Sequence, residues 1–387
     1  MDGEERPSSK PQRPPKRPGG DRSRPARRRR RHVPWWATAI TVVAVVLLAN
    51  AAAAVIGPNI PRQSGTEERA YVKADQIYGR SGPTDVAIFG SSETAGGLIP
   101  DEIESQAPAL DGVYNAALPG SSLGLMEDWA DRVVDPQLHP KIAIIGMLPI
   151  SVIAVDPEID PSGGSQAALD AYESAIDQIN SGTFGPLSWT LRQRSALIRY
   201  RPLLRSPSAT WAGIKATVTG DEPDDGSGPG KMDFRTETNP LRVKENTAPD
   251  GEILDDRDQS IPLDTDPIAG ALYRKFAEYP TDLDSLESFV DSLRSQGITP
   301  VIAIGPVDRT VLEASDADLP HFDAIADEVQ AWGEANGVPV HSSFGETWDP
   351  ALFHDRNHLA EAGARRWSQE VGTWLDGLCE QGDISDC

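Results

Sequence analysis

The chain has 387 residues, 39% of them hydrophobic and 25% charged, with only two cysteines. That length allows one large domain or two smaller ones, and the cysteine count excludes a disulfide-rich scaffold or a cysteine-based metal site. The formal charge of −23 is unevenly placed: residues 1–34 hold 12 Lys/Arg against 4 Asp/Glu, residues 35–57 hold no charged side chain, and residues 58–387 set 24 basic residues against 55 acidic ones. A body carrying −31 excludes nucleic acid as a partner, and solubility in a salty or wall-bound milieu accounts for it before a cationic ligand is invoked.

Residues 1–34, rich in Pro, Arg and Ser, cannot bury a core and are expected to form a disordered basic tail. Residues 35–57 (WWATAITVVAVVLLANAAAAVIG) are uncharged and mostly apolar, long enough to cross a hydrocarbon layer about 30 Å thick. The run Arg27 to Arg31 precedes them. The positive-inside rule then places the tail in the cytoplasm, Trp35 and Trp36 at the interface and the acidic body outside, as a single-pass anchor in the cell membrane. A cleaved secretory signal is the competing reading, since Ala49-Asn50-Ala51 offers a small-residue cleavage site. The length of the apolar run favours the anchor, and both readings export everything beyond about residue 60. Residues 58–83 read as a linker.

From 84 to 378, short runs with β-branched residues alternate with stretches of helical period, which predicts one α/β domain, a three-layer sandwich around a mostly parallel sheet. Strands are expected at 85–89, 112–117, 141–147, 299–304 and 338–341. Helices are expected at about 122–134, 165–179, 187–204, 283–295, 322–335 and 360–378, the third with many arginines. Between 206 and 267 the chain is rich in Gly, Pro, Asp and Thr without sustained periodicity, which suggests an insertion or lid. Residues 379–387 form a C-terminal tail. The spacing of Cys379 and Cys387 permits a bridge that would staple this tail to the last helix and does not require one.

Two stretches carry chemistry. At Phe89-Gly90-Ser91-Ser92-Glu93 a predicted strand stops and a glycine permits a sharp turn, the place where α/β folds put ligands. A serine there is exposed and its N–H is placed to meet an oxyanion, although an ordinary serine N-cap has the same sequence. Near the C-terminus, Asp355-Arg356-Asn357-His358 sets a carboxylate three residues before an imidazole. The Asp can orient the His, which can then remove a serine proton. His354 and His358 at i, i+4 admit a metal site instead, but no matching His or Cys cluster stands elsewhere in the sequence, and neither a metal nor a cofactor is expected.

The order Gly90-Ser91-Ser92 after the first strand, Asn115-Ala116-Ala117-Leu118-Pro119-Gly120 after the second and Asp355-Arg356-Asn357-His358-Leu359 before the last helix resembles the blocks of the SGNH (GDSL-like) hydrolases. Within them it looks most like the anchored, extracytoplasmic DltD-like and alginate-O-acetylation-like branch, over roughly residues 84 to 378. The resemblance implies an SGNH/flavodoxin-like fold with Ser92 as nucleophile, His358 as base and Asp355 as its orienting acid. It places the Gly120 N–H beside that of Ser92 in the oxyanion hole. It further implies a serine esterase or O-acyltransferase acting on acyl esters, O-acetyl above all, and export with anchoring suggests that these belong to an envelope glycan, wall polymer or glycolipid. A membrane-bound O-acyltransferase is the partner it suggests. One position departs from the pattern: after the third strand the chain reads Met147-Leu148-Pro149-Ile150-Ser151, without the block-three Asn that serves as a further oxyanion donor. Ser121 and Ser151 are the candidates to replace it. The missing donor keeps open a non-catalytic glycan-binding or scaffold protein on the same fold.

Overall fold

The computed structural model describes residues 34–57, 60, 65–154, 165–180, 191, 194–200, 204, 207–219, 240–254, 266–382, 384 and 387. The expected disordered tail, at residues 1–33, lies outside them. So do much of the expected helix at 187–204 and the middle of the expected insertion. Helix α1, Trp35–Ile56, has 22 residues and is the helix among those described that is long and apolar enough to cross a membrane. The chain divides into two units, the first ending at Leu47 and the second running from Leu48 to Cys387.

The second unit is built on five parallel strands in the order β2-β1-β3-β4-β5. They are β1 Val86–Phe89, β2 Val113–Asn115, β3 Ile142–Met147, β4 Thr299–Ile304 and β5 Val340–Ser342. Each lies within two residues of its expected position. The first four are almost wholly buried, which is why they read as continuous apolar runs and not as alternations. Alternate residues feed two cores. Ala87, Phe89, Tyr114, Ala143, Ile145, Met147, Ile302 and Ile304 face one cluster, which includes the apolar sides of α2 (Gly65–Gly79) and of helices Asp284–Ser295 and Leu319–Asn336. Val86, Ile88, Val113, Ile142, Ile144, Val301 and Ala303 face the other, against the C-terminal helix Glu361–Gln381. The result is the expected α/β/α sandwich. With β1 between β2 and β3, the crevice beyond the carboxyl ends of β1 and β3 is the point where the winding reverses.

Three boundaries need correction. Residues 58–83 are not a linker throughout, because α2 occupies 65–79 and buries Ala70, Tyr71, Ala74 and Ile77 in the main core. Its Lys73 is buried as well, donating to Asn115 O at 2.6 Å and Gly251 O at 2.7 Å. Nor is 206–267 all irregular: Pro207–Thr219 and Pro240–Glu245 are helical, and Asn115 N donates to Asp250 O while Ile253 N donates to Ala95 O. Residues 246–254 thus dock on β2 and on the helix that follows β1. The 379–387 tail, finally, begins inside the last helix, and Ile384 is buried in the second core. Cys379 and Cys387 are joined by a disulfide.

Candidate active site

β1 runs straight into α3, Ser92–Gly97. The junction is tight: a Cβ on Gly90 would lie 2.4 Å from the Thr94 side chain, and one on Gly146 of β3 would meet the same side chain at 2.4 Å. Thr94 therefore fills the gap between the two strand ends, and only glycine admits it on both sides. Ser91 is the N-cap, in extended conformation, and Ser92 is the first helical residue. Asn115, fully buried at the end of β2, holds the other end of α3: its Nδ2 donates to Leu98 O at 2.8 Å and Thr94 O at 3.2 Å, and its Oδ1 accepts from Ala117 N at 3.1 Å. The Asn of the second motif is thus a clamp that fixes the serine-bearing helix on the sheet.

The histidine comes from the loop before the C-terminal helix. That loop is closed by an antiparallel bridge between Phe353 and Leu359 and by His354 N donating to His358 O at 2.8 Å. Arg356 ties it down from outside, through an ion pair with Asp266 at 2.7 Å and a carbonyl that accepts from Asp308 N at 2.8 Å. Asp355 Oδ1 accepts from the N–H groups of Asn357 (2.9 Å) and His358 (2.8 Å), which leaves Oδ2 for His358 Nδ1 at 2.8 Å. Across the crevice, His358 Nε2 lies 2.8 Å from Ser92 Oγ. Both ring nitrogens of His358 are taken by these two contacts.

The charges follow from this packing. Burial alone would raise Asp355, but the neighbouring His358, as charge and as donor, and the two backbone N–H groups hold its carboxyl well below the usual range. Burial alone would lower His358, yet Asp355, with Glu93 adding to it, raises the imidazole above its ordinary value. The carboxylate accepts from Nδ1, so in the neutral ring Nε2 is left to accept the Ser92 proton.

Sequence reasoning missed Glu93. It is buried, its Oε2 stands 3.4 Å from Ser92 Oγ, and burial pushes its carboxyl up against the opposing influence of its own backbone N–H, His358 and the hydroxyls of Ser92 and Ser91. Adjacency to Ser92 was the available signal, but nothing in the local pattern told that a glutamate on the first turn of α3 points inward. Tyr273 was missed too, on the helix Pro267–Phe276. Its hydroxyl is buried without a hydrogen-bond partner, within electrostatic reach of Arg356, Glu93 and Asp355.

The expected oxyanion donors are less open. Gly120 adopts φ +79°, which glycine tolerates, and its N–H donates to Ser91 Oγ at 3.0 Å. The Gly120 N–H, expected as an oxyanion donor, is thus directed at the Ser91 hydroxyl. Ser121 Oγ donates to Gly90 O at 3.1 Å, which commits its proton to the backbone. Leu148, which follows β3 at the place where the resemblance implies an Asn, is buried and apolar. Ser151 sits half-buried in the short turn Pro149–Val152.

No protein-family model matches the chain, and no curated protein matches it. Among solved structures it is similar to a protein of Bacteroides fragilis NCTC 9343 assigned provisionally as an acylhydrolase, with a TM-score of 0.33 and 10% identity over 81% of this chain and 94% of that one.

Proposed function

We propose that this protein is a membrane-anchored serine esterase or O-acyltransferase of the SGNH type, with Ser92, His358 and Asp355 as its triad. The observation that carries the reading is the continuous hydrogen-bonded path from Ser92 Oγ through His358 to Asp355, with both links at 2.8 Å, assembled at the switch point of a parallel sheet. In the reaction, His358 Nε2 takes the Ser92 proton as Oγ attacks the ester carbonyl, and Asp355 stabilises the imidazolium. Collapse of the tetrahedral intermediate expels the alcohol, which receives that proton, and leaves an acyl-Ser92. Water as second acceptor completes hydrolysis. A sugar or polyol hydroxyl completes transfer.

The Ser92 N–H, in the first turn of α3, has no partner within its own helix and serves the oxyanion. Gly120 joins it once the Ser91 hydroxyl turns away. With α1 across the membrane and the arginine-rich tail inside, the domain faces an exterior where the Cys379–Cys387 disulfide is chemically at home. An acylated envelope glycan or glycolipid is then the substrate, and a membrane-bound O-acyltransferase the source of acyl groups. The covered Gly120 N–H and the apolar Leu148 favour a second reading, a glycan-binding protein that keeps the cleft without the chemistry.

The test uses the full chain in detergent, assayed for hydrolysis of p-nitrophenyl acetate and for labelling by a fluorophosphonate, beside Ser92→Ala and His358→Ala. Turnover and labelling that vanish in both variants support the enzyme. A folded wild-type protein that neither turns over nor labels sinks it in favour of the binding reading.

A further inference from the structure

The last turns of α1, from Leu48 on, belong to the second unit and pack within it against residues 195–200. Asn50 Oδ1 accepts from Ser195 Oγ at 2.8 Å and from Leu197 N at 3.2 Å, acting as the N-terminal cap of a short helix elsewhere in the chain, Ala196–Arg199. Three residues on, Ala53 is buried, and a Cβ on Gly57 would stand 2.2 Å from the Tyr200 ring. Asn50, Ala53 and Gly57 form one stripe at i, i+3 and i+7, and its small residues let the 195–200 segment lie directly on the helix. Ile60 and Tyr200 are buried there together, with Ile56, Ala196 and Leu204 against them.

The depth of this contact matters. At about 1.5 Å per residue, Asn50 stands about 9 Å short of the end of α1. In a spanning helix that is within the outer leaflet, where a side-chain amide needs a protein partner. The partner it has is residues 195–197, which must then reach the same depth.

Composition agrees. Outside α1, the exposed large hydrophobic side chains among the described residues are Leu191, Ile198, Trp211, Val218 and Leu254, and four of the five fall between 191 and 219. On the helix Pro207–Thr219, Trp211, Lys215 and Val218 recur at i, i+4 and i+7 and are all exposed. From residue 178 to 220 the sequence holds five Arg, one Lys and no Asp or Glu, within a body where 55 acids face 24 bases. An aromatic, an aliphatic and a base on one face, in a locally cationic stretch, are the ingredients of a helix that lies in a membrane interface.

We propose that Leu191, Arg194, the Ala196–Arg199 helix and the Pro207–Thr219 helix form an interfacial arm, seated in an anionic outer leaflet beside α1. Its apolar side chains enter the acyl region and its bases meet lipid phosphates. Arg199 pairs with Asp75 of α2, which fastens the arm to the α/β core and holds the domain down on the bilayer. The proposal rests on α1 spanning that bilayer.

The native cysteines are paired, so single cysteines introduced at Val46, Ile198, Trp211 and the exposed Glu334 can be labelled with an environment-sensitive fluorophore in the full chain. The labelled proteins are reconstituted in phosphatidylglycerol liposomes whose acyl chains carry bromine. Loss of fluorescence at Val46, Ile198 and Trp211 but not at Glu334 is expected. Loss at Val46 with undiminished emission at Ile198 and Trp211 overturns the arm while leaving the anchor, and assigns that face to a protein partner. Undiminished emission at Val46 as well overturns the anchor and the arm together. The labelled arm positions are exposed, so the substitutions do not threaten folding.

Discussion

The Ser92 hydroxyl has two acceptors in reach, His358 Nε2 at 2.8 Å and the buried Glu93 carboxyl at 3.4 Å. In the proposed reaction the shorter contact leads to the base and the longer one acts through charge. His358 must be neutral to accept the proton in that reaction, so the acid limb of the rate profile is expected to follow its raised pKa and to lie above the ordinary imidazole value. Glu93 contributes to that rise, so Glu93→Gln should move the limb to lower pH, with the plateau rate changed far less than by Ser92→Ala. A limb that stays in place would show that Glu93 is neutral throughout. Asp355→Asn should cut kcat by about 10⁴-fold, since an amide no longer selects the tautomer with the proton on Nδ1; steady-state kinetics with p-nitrophenyl acetate measures it. Ser91→Ala is expected to leave kcat unchanged or raise it, because it frees the Gly120 N–H that Ser91 Oγ now occupies. A fall of about 100-fold, the usual result of losing an oxyanion donor, would instead make the Ser91 hydroxyl itself part of the hole.

At the level of elements, what was legible was what repeats. The five strands are β-branched runs with buried neighbours on both faces, and long helices such as Asp284–Ser295 place Leu286, Val290 and Leu293 on one side. The positions of Ser92, Asp355 and His358 were legible for another reason: each sits where an element begins or ends, marked by Gly90 or by the approach to the last helix. α2 was not legible, because its buried face mixes Ala70, Tyr71, Ala74 and Ile77 with Glu68, Arg69 and Lys73, which breaks the apolar stripe that marks a helix. α3 was missed because six residues carry too little period. Lys73 is the instructive case. Burial lowers its pKa well below the ordinary lysine value, and its Nζ joins α2 to β2 and to the 246–254 segment by donating to two carbonyls. Lys73→Met keeps the volume and leaves both acceptors unpaired, which should cost about 1–3 kcal/mol, read as a lower urea midpoint with an unchanged slope. No loss of stability would mean that the carbonyls find other donors and that α2 is held by its apolar residues alone.

For the molecule as a whole, the charge pattern and the fold meet at Asp135. It follows a π-helical turn, Ala130–Val134, and both of its carboxylate oxygens are buried without a hydrogen-bond partner. Burial first and the charge of Asp131 second push its pKa up to about 7, opposed by the nearby Gln296 amide, whose hydrogen bond goes to Asp131 Oδ1 at 2.7 Å and not to Asp135. The folded state thus holds a proton that the unfolded chain releases near pH 4. Its stabilising effect is complete below that pH and is lost as pH rises through about 7. His358, also raised, pulls in the same direction, and so does repulsion among the 55 acidic residues of the body as they ionise. Salt separates these contributions, since surface repulsion is screened within about 10 Å at 0.1 M and a buried carboxylate is not. In thermal unfolding of the full chain at high salt, the midpoint should therefore still fall between pH 5 and pH 8. Asp135→Asn should remove most of that fall, making the variant the more stable protein at pH 8 and no more stable than wild type at pH 5. If the variant is less stable at pH 8 as well, Asp135 is ionised and satisfied in the folded protein, and its carboxylate is held by a partner such as solvent or a cation reaching it from the His139–Lys141 side of the cavity it lines.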